Sequence, residues 1–202
     1  MALGSMVEKA IGRAVDSLRN QDIELAQRVI DGDTQINEAR WNLEDNAIHL
    51  MALQAPMASD LRRIAAVMHI ATELERMADH AEGMAVLTLR TAEEPLLKPL
   101  VDIPRMADIA RELLLESLDA FIESDSERAR QIARRDDEVD RLYEQVYREL
   151  LTFMISDPRT ITRATHLLWV AHNVERIADR VTNICERVVF VVTGDMEELN
   201  KK

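Results

Sequence analysis

The sequence predicts an all-α protein made of two tandem, antiparallel three-helix bundles related by internal duplication. Three observations lead there. Gly and Pro number five each in 202 residues, aromatics make up 3%, and 31% of residues are charged, a mix that favours helix. No long run alternates apolar and polar residues with the period of two that strands require. And Leu74-Glu75-Arg76-Met77-Ala78-Asp79 returns as Val174-Glu175-Arg176-Ile177-Ala178-Asp179, each copy placing two carboxylates four residues apart on one helix face.

The elements follow in order. A first helix is expected over 3–20, with Val7, Ile11, Val15 and Leu18 at helical spacing. Asp22 is suited to cap a second helix reaching 54, whose apolar stripe is Val29, Ile36, Leu43, Ala47 and Leu50. Pro56 breaks that pattern and opens a third helix, to 90. Three of the five prolines, Pro95, Pro99 and Pro104, then mark the link between halves. A fourth helix is expected over 105–122. Ser124-Asp125-Ser126-Glu127 has capping-box spacing and starts a fifth, continuous to 155. Asp157-Pro158 reads as a cap followed by proline at the first helical position, opening a sixth helix that runs to 193 and ends on Gly194. The expected division is a first bundle over 1–92, a linker over 93–104, a second bundle over 105–194 and a polar tail over 195–202.

The halves align without forcing. Asp22 answers to Asp125 and Asp33 to Asp136, a shift of 103; Glu75 answers to Glu175 and Asp79 to Asp179, a shift of 100. A repeat of this length is a strong organisational signal.

Composition narrows the function. A net charge of −12 and a pI near 4.9 argue against a nucleic-acid binder, which would carry a basic face. Cys185 is the sole cysteine, so an intramolecular disulfide is excluded and a reducing compartment fits; its stripe with Val181, Val188 and Val189 predicts a packed, inert thiol. No apolar stretch reads as a secretory signal or nears the ~18–20 residues of a membrane span, so a cytoplasmic protein without membrane insertion is expected.

The chemistry lies in acids that occupy core register. On the fifth helix Ile132, Asp136, Val139, Tyr143, Val146 and Leu150 share a face, with Asp140 one turn beyond Asp136; on the second, Asp33 sits between Val29 and Ile36. The third helix gives Leu61, Ile64, Met68, Ala71, Glu75, Ala78 and Glu82, and the sixth Ile161, Ala164, Leu168, Ala171, Glu175 and Ala178. A buried carboxylate must be paired, protonated or metal-bound, because its desolvation costs several kcal/mol. Two facing helices that each turn acids inward form an all-oxygen cage for a hard cation, Mg²⁺, Mn²⁺, Ca²⁺ or iron, rather than structural zinc. The plainer alternative is that these acids are solvated or paired with Arg76 and Arg176. His80 reads as a half-exposed surface histidine rather than a ligand, Trp41 and Trp169 as packing residues, and Arg62-Arg63 and Arg134-Arg135 as solvated basic pairs. Gly-rich phosphate loops and Glu-x-x-His di-iron motifs are absent.

The two acid-bearing stretches, the second extended through Arg180-Val181-Thr182-Asn183-Ile184, resemble the paired motifs of the PhoU family of phosphate-transport regulators. So do Ala55-Pro56-Met57-Ala58-Ser59-Asp60-Leu61-Arg62, Val29-Ile30-Asp31-Gly32-Asp33 and the run from Glu186 to Gly194, so that the likeness spans essentially the whole chain. The resemblance implies two three-helix bundles with multinuclear metal clusters, carried over here to Asp33, Glu75 and Asp79 in one bundle and Asp136, Asp140, Glu175 and Asp179 in the other, with iron, manganese or magnesium as the metal. It implies a non-catalytic negative regulator of phosphate uptake, often dimeric, that couples a phosphate ABC transporter to a sensor histidine kinase. A metal-dependent hydrolase or redox enzyme using the same carboxylates is the alternative. Three departures stand out. Asn37 occupies the place of Asp140, which predicts that the second site binds metal better. Arg180 replaces a common histidine, and Gly83 stands where the second repeat has Asn183. Last, Ala2-Leu3-Gly4-Ser5-Met6 resembles the middle of the family's first helix, and a shortened first helix would leave part of the first bundle uncovered.

Overall fold

The computed structural model describes residues 1–199. Its elements are α1 (Ala2–Asn20), α2 (Ile23–Gln54), α3 (Ala58–Thr91), α4 (Asp102–Glu123), α5 (Ser126–Arg134), α6 (Asp136–Ser156) and α7 (Ile161–Thr193), with a 3₁₀ turn, Pro158–Thr160, leading into α7. The described residues contain no strand. One bundle is α1–α2–α3 and the other α4, α5–α6 and α7, and a single apolar core runs through both.

The duplication extends to individual hydrogen bonds. Asp22 caps α2 by accepting from the Leu25 amide at 2.9 Å, and Asp125 caps α5 by accepting from the Arg128 amide at 2.9 Å. Just before each cap a residue lies in the left-handed region, Gln21 at φ 50° and Ser124 at φ 55°. The next amide closes each turn on the preceding helix: Asp22 N–H to Ser17 O at 2.8 Å, Asp125 N–H to Ala120 O at 2.9 Å. The capping box expected at Ser124 is therefore displaced by one residue. Ser124 ends α4 and Asp125 caps α5, as its counterpart Asp22 does.

Other boundaries moved for local reasons. α4 begins at Asp102 rather than 105, because Pro104 falls in the first turn, where its missing N–H would have no helical partner. α3 begins at Ala58, two residues after the proline expected to open it, since Ala55 takes φ 42°. The fifth helix is not continuous. It breaks at Arg135, where Arg135 N–H donates to Ile132 O and Glu138 N–H to Arg135 O, both at 2.9 Å, a tighter three-residue turn. No Pro or Gly sits at the break. It coincides with the Arg135 guanidinium pairing with Glu112, Glu116 and Glu138 at 3.5, 3.0 and 3.2 Å, so Arg135 is not the solvated residue expected.

α3 and α7 pack along each other more extensively than any other pair, and α1 lies against α4 on the same side. Close approach needs small residues: a Cβ at Gly4 would collide with Leu118, while Ala71, Ala78, Ala81, Ala164, Ala171 and Ala178 are buried on the central pair. Polar groups cross this interface in matched positions. Glu73, 2% exposed, accepts from Asn183 Nδ2 at 2.9 Å and from Arg180 Nη1 at 3.4 Å. Its counterpart Asn173 meets His80 Nδ1 at 2.9 Å and faces Gly83. Burial, foremost, and nearby Arg180 and Arg176 depress the His80 pKa, against the Asn173 hydrogen bond, which favours the proton.

The outward faces of the helices are less well covered. Trp41 and Trp169, expected to pack, are 59% and 48% exposed, because each lies on an outward face. In the second half the connecting segment lies over the α6–α7 seam: Leu97 and Leu100 pack on the core and Lys98 pairs with Glu149 and Asp102, leaving a gap of about 10 Å³ beside Val146, Leu150 and Leu167. The matching seam of the first half, between α2 and α3, remains an open groove of about 690 Å³ lined by Leu43, Ala47, Leu50, Ile64 and Val67. Of the polar tail, residues 200–202 lie outside the described residues; the rest docks, with Glu197 on Arg130 and the Leu199 amide donating to Glu186.

Removing the Glu73 carboxylate strands two donors at the centre of the α3–α7 contact. Glu73→Ala is expected to cost about 2 kcal/mol and Asn173→Ala about 1 kcal/mol, as read by urea denaturation.

Candidate metal centre

α2 and α3 bring acids together near their midpoints. Asp33 comes from α2, one turn before Asn37; Glu75, Asp79 and Glu82 follow one another at spacings of four and three along α3, which puts them on one stripe. Asp33, Asp79 and Glu82 each offer an oxygen, and these three oxygens lie within 4.8 Å of one another. Asp33 and Glu82 are half-buried and Asp79 is exposed. The Asn37 amide donates to Asp33 Oδ2 at 2.6 Å, while Asp33 Oδ1 is buried without a hydrogen-bond partner.

The electrostatics are those of crowded like charges. Burial and the Asp79 charge raise the pKa of Asp33, with Asn37 opposing. Burial, Asp33 and Asp79 raise that of Glu82. Glu75 is raised by burial, Asp79 and Asp33, and lowered by Arg40 and Arg76. Glu75 thus belongs to the same field, although its oxygens are not among the three that converge. An unpartnered buried oxygen, an all-carboxylate donor set and mutual repulsion fit a hard cation.

The second half places Asp136, 4% exposed, at the start of α6, with Asp140 one turn on and Glu175 and Asp179 on α7. Two neighbours put Glu175 of α7 beside α6 and Asp136 of α6 beside α7. The Glu175 charge, after burial, raises the Tyr143 pKa, and Asp136 adds to the burial and the Glu186 charge that push the Cys185 thiol up to about 12. His172 Nδ1 lies 3.4 Å from Glu175, and Arg176 donates to Asp179 at 2.7 Å.

Glu82 is the residue that motif comparison missed. It lies on the stripe of Glu75 and Ala78, but its counterpart is Thr182, a buried residue whose hydroxyl donates to the Asp179 carbonyl at 2.7 Å. A search for acids repeated in both halves passes over it. Its presence offsets the charge lost at Asn37. His80 turns away from the acids, toward Asn173 on α7.

Comparison with known proteins agrees with the duplicated fold. The PhoU domain family matches the chain twice, over residues 1–88 and 103–188. The phosphate-specific transport system accessory protein PhoU homolog of Aquifex aeolicus (strain VF5) is 41% identical over 194 residues, covering 96% of this chain and 88% of that protein. The homolog of Rhizobium meliloti (strain 1021) is 39% identical over 193 residues, covering 95% and 81%. The crystal structure of PhoU from Pseudomonas aeruginosa matches with a TM-score of 0.90 at 35% identity, covering 96% of this chain and 93% of that one. That of the phosphate transport system regulatory protein PhoU from Streptococcus pneumoniae gives 0.89 at 31%, covering 97% and 92%.

Charge crowding makes Asp79 a liability without a cation. In chelator, Asp79→Asn is expected to stabilise the protein by about 0.2–0.5 kcal/mol for each relieved like-charge pair. With manganese present the sign is expected to reverse, because the variant would offer the cation one carboxylate fewer. Thermal melts in both buffers check this; destabilisation in chelator would show that the acids do not repel one another as the geometry demands.

Proposed function

The chain belongs to the PhoU family, and on that premise we propose that it is a metal-binding accessory regulator of phosphate uptake and phosphate-starvation signalling. It acts in the cytoplasm by protein contact, as a homodimer, on a phosphate ABC transporter and a sensor histidine kinase, without turning over a substrate. The observation that carries this reading is the whole-chain relationship: both halves match the PhoU domain, and the relatives over that span are named accessory proteins of phosphate-specific transport. That no helix among the described residues is long and apolar enough to cross a membrane is in keeping with a protein that meets the transporter rather than forming it.

The acids have a structural part in this role. Asp33, Asp79 and Glu82, with Glu75 beside them, would hold a cation between α2 and α3; Asp136, Asp140, Glu175 and Asp179 would do so between α6 and α7. Iron, manganese or magnesium suits oxygen donors. A bound cation supplies the positive charge that lets inward carboxylates stay ionised. Asn37 holds one oxygen of Asp33 and leaves the other turned inward, and Arg176 orients Asp179. Each cluster thereby ties an outer helix to the central α3–α7 pair and fixes the outer face that a partner would read.

Metal analysis of protein purified without chelator tests the first half of this proposal. Glu175→Ala/Asp179→Ala and Asp33→Ala/Glu82→Ala should each lower bound metal, and equal content in all three proteins would remove the metal reading. In cells lacking their own regulator, the wild type should restore repression of a phosphate-starvation reporter and both variants should fail. Substrate turnover that vanishes with the same substitutions would favour an enzyme instead.

A further inference from the structure

The two repeats are opposite in charge at one place. In the second, the Arg135 guanidinium sits among Glu112 and Glu116 of α4 and Glu138 of α6. Shifted by 103 residues, the carboxylates of α4 become Lys9 and Arg13 on α1, Glu138 becomes Gln35, and Arg135 becomes Gly32. The structure keeps these residues together: Lys9, Arg13, Arg28, Gly32 and Gln35 surround a notch of about 130 Å³ between α1 and α2. A Cβ placed on Gly32 would meet no atom within 4 Å. The acids have become bases, and the arginine has become a hole.

The notch is not neutralised from within. Glu8 is taken by Arg111 at 2.5 Å, and Asp31 accepts from Gln27 at 2.9 Å. Arg28 has one carboxylate near it, Glu24, at 3.8 Å across the surface. Lys9 and Arg13 form no ion pair among the described residues. Met6, Ala10, Val29 and Ile36 give the notch an apolar floor. On a chain of net charge −12, three cations around open space draw an acidic partner to this face while the rest of the surface repels it.

We propose that this notch docks a carboxylate-bearing, amphipathic segment of a partner protein. An Asp or Glu of that segment enters the space above Gly32 between Lys9 and Arg13, and an apolar neighbour rests on Val29 and Ile36. The apolar floor favours such a segment over a free hydrated oxyanion. The proposal stands apart from the metal centre, with which it shares none of the residues that carry charge.

The test uses a fluorescein-labelled helical peptide carrying two glutamates four apart beside two leucines, titrated with the full chain and followed by anisotropy. Saturable binding is expected, weakened by added salt and by about tenfold or more in Lys9→Glu/Arg13→Glu. A third protein, Lys9→Glu/Arg13→Glu/Gly32→Arg, rebuilds the arrangement of the second repeat. It should melt no lower than the wild type and bind no better than the double variant, which separates lost docking from lost folding. Absence of saturable binding, or equal affinity in the double variant, would overturn the proposal. So would full displacement by millimolar inorganic phosphate at matched ionic strength, which would assign the notch to a free oxyanion. A wild type that self-associates while the double variant is monomeric would assign it to a second copy and overturn it as well.

Discussion

The packing of α3 along α7 constrains everything else. Both helices are enclosed along most of their length, and Ala, Met, Ile and Val fill the shared interface. A helix so enclosed has little surface left on which to place charge. Asp79 and Glu82 of α3 therefore lie toward Asp33 of α2, and Glu175 of α7 lies toward Tyr143 of α6. Glu73, which does face the shared interface, is met there by Asn183 and Arg180. The departures from strict repetition at 80/180 and 83/183 then form a single compensated change. Where one repeat has a glutamate, the other supplies an arginine and an asparagine; where it has Asn173, the other supplies His80 and a glycine.

Much of this was legible in the sequence because it repeats. The aligned Asp22 and Asp125 marked two equivalent caps, and the structure gives them the same hydrogen bonds. The core registers of Asp33 and Asp136 follow from apolar spacing alone. What escaped was what the halves do not share. Glu82 is opposite a threonine, so comparison of the repeats passes it by. The break at Arg135 has no Pro or Gly to announce it; it accompanies ion pairs to residues on two helices, and long-range pairing of this kind leaves no periodic trace. Trp41 and Trp169 were misread for a different reason. Apolar character fixes a preference for burial, whereas burial itself depends on which helix lies opposite.

The duplication has also been a licence to diverge. One scaffold carries two acid clusters of different composition, with Asn37 and Glu82 on one side against Asp140 and Thr182 on the other. Around Gly32 it carries Lys9 and Arg13 where, around Arg135, it carries Glu112 and Glu116. Such changes are tolerated because they lie on outer seams, where a charge can be reversed without disturbing the α3–α7 centre. The halves hold the same shape and present different chemistry to whatever approaches them.

The uncovered seam between α2 and α3 has a dynamic consequence. In the second half Leu97 and Leu100 lie across the corresponding seam and tie it to the core. In the first, no segment of the described residues lies across the α2–α3 seam, and Leu53 and Met57 at its junction are exposed. The opening turns of α3 are held from outside through Arg63, which donates to the Ile122 carbonyl and Ser124 Oγ and lies over Phe121. Amides there are held by few buried apolar contacts, so this hairpin opens at a lower free energy than the rest of the chain. The molecule is uneven in cooperativity. A rigid centre and a well-tethered second half carry an α2–α3 tip that exchanges its hydrogens first.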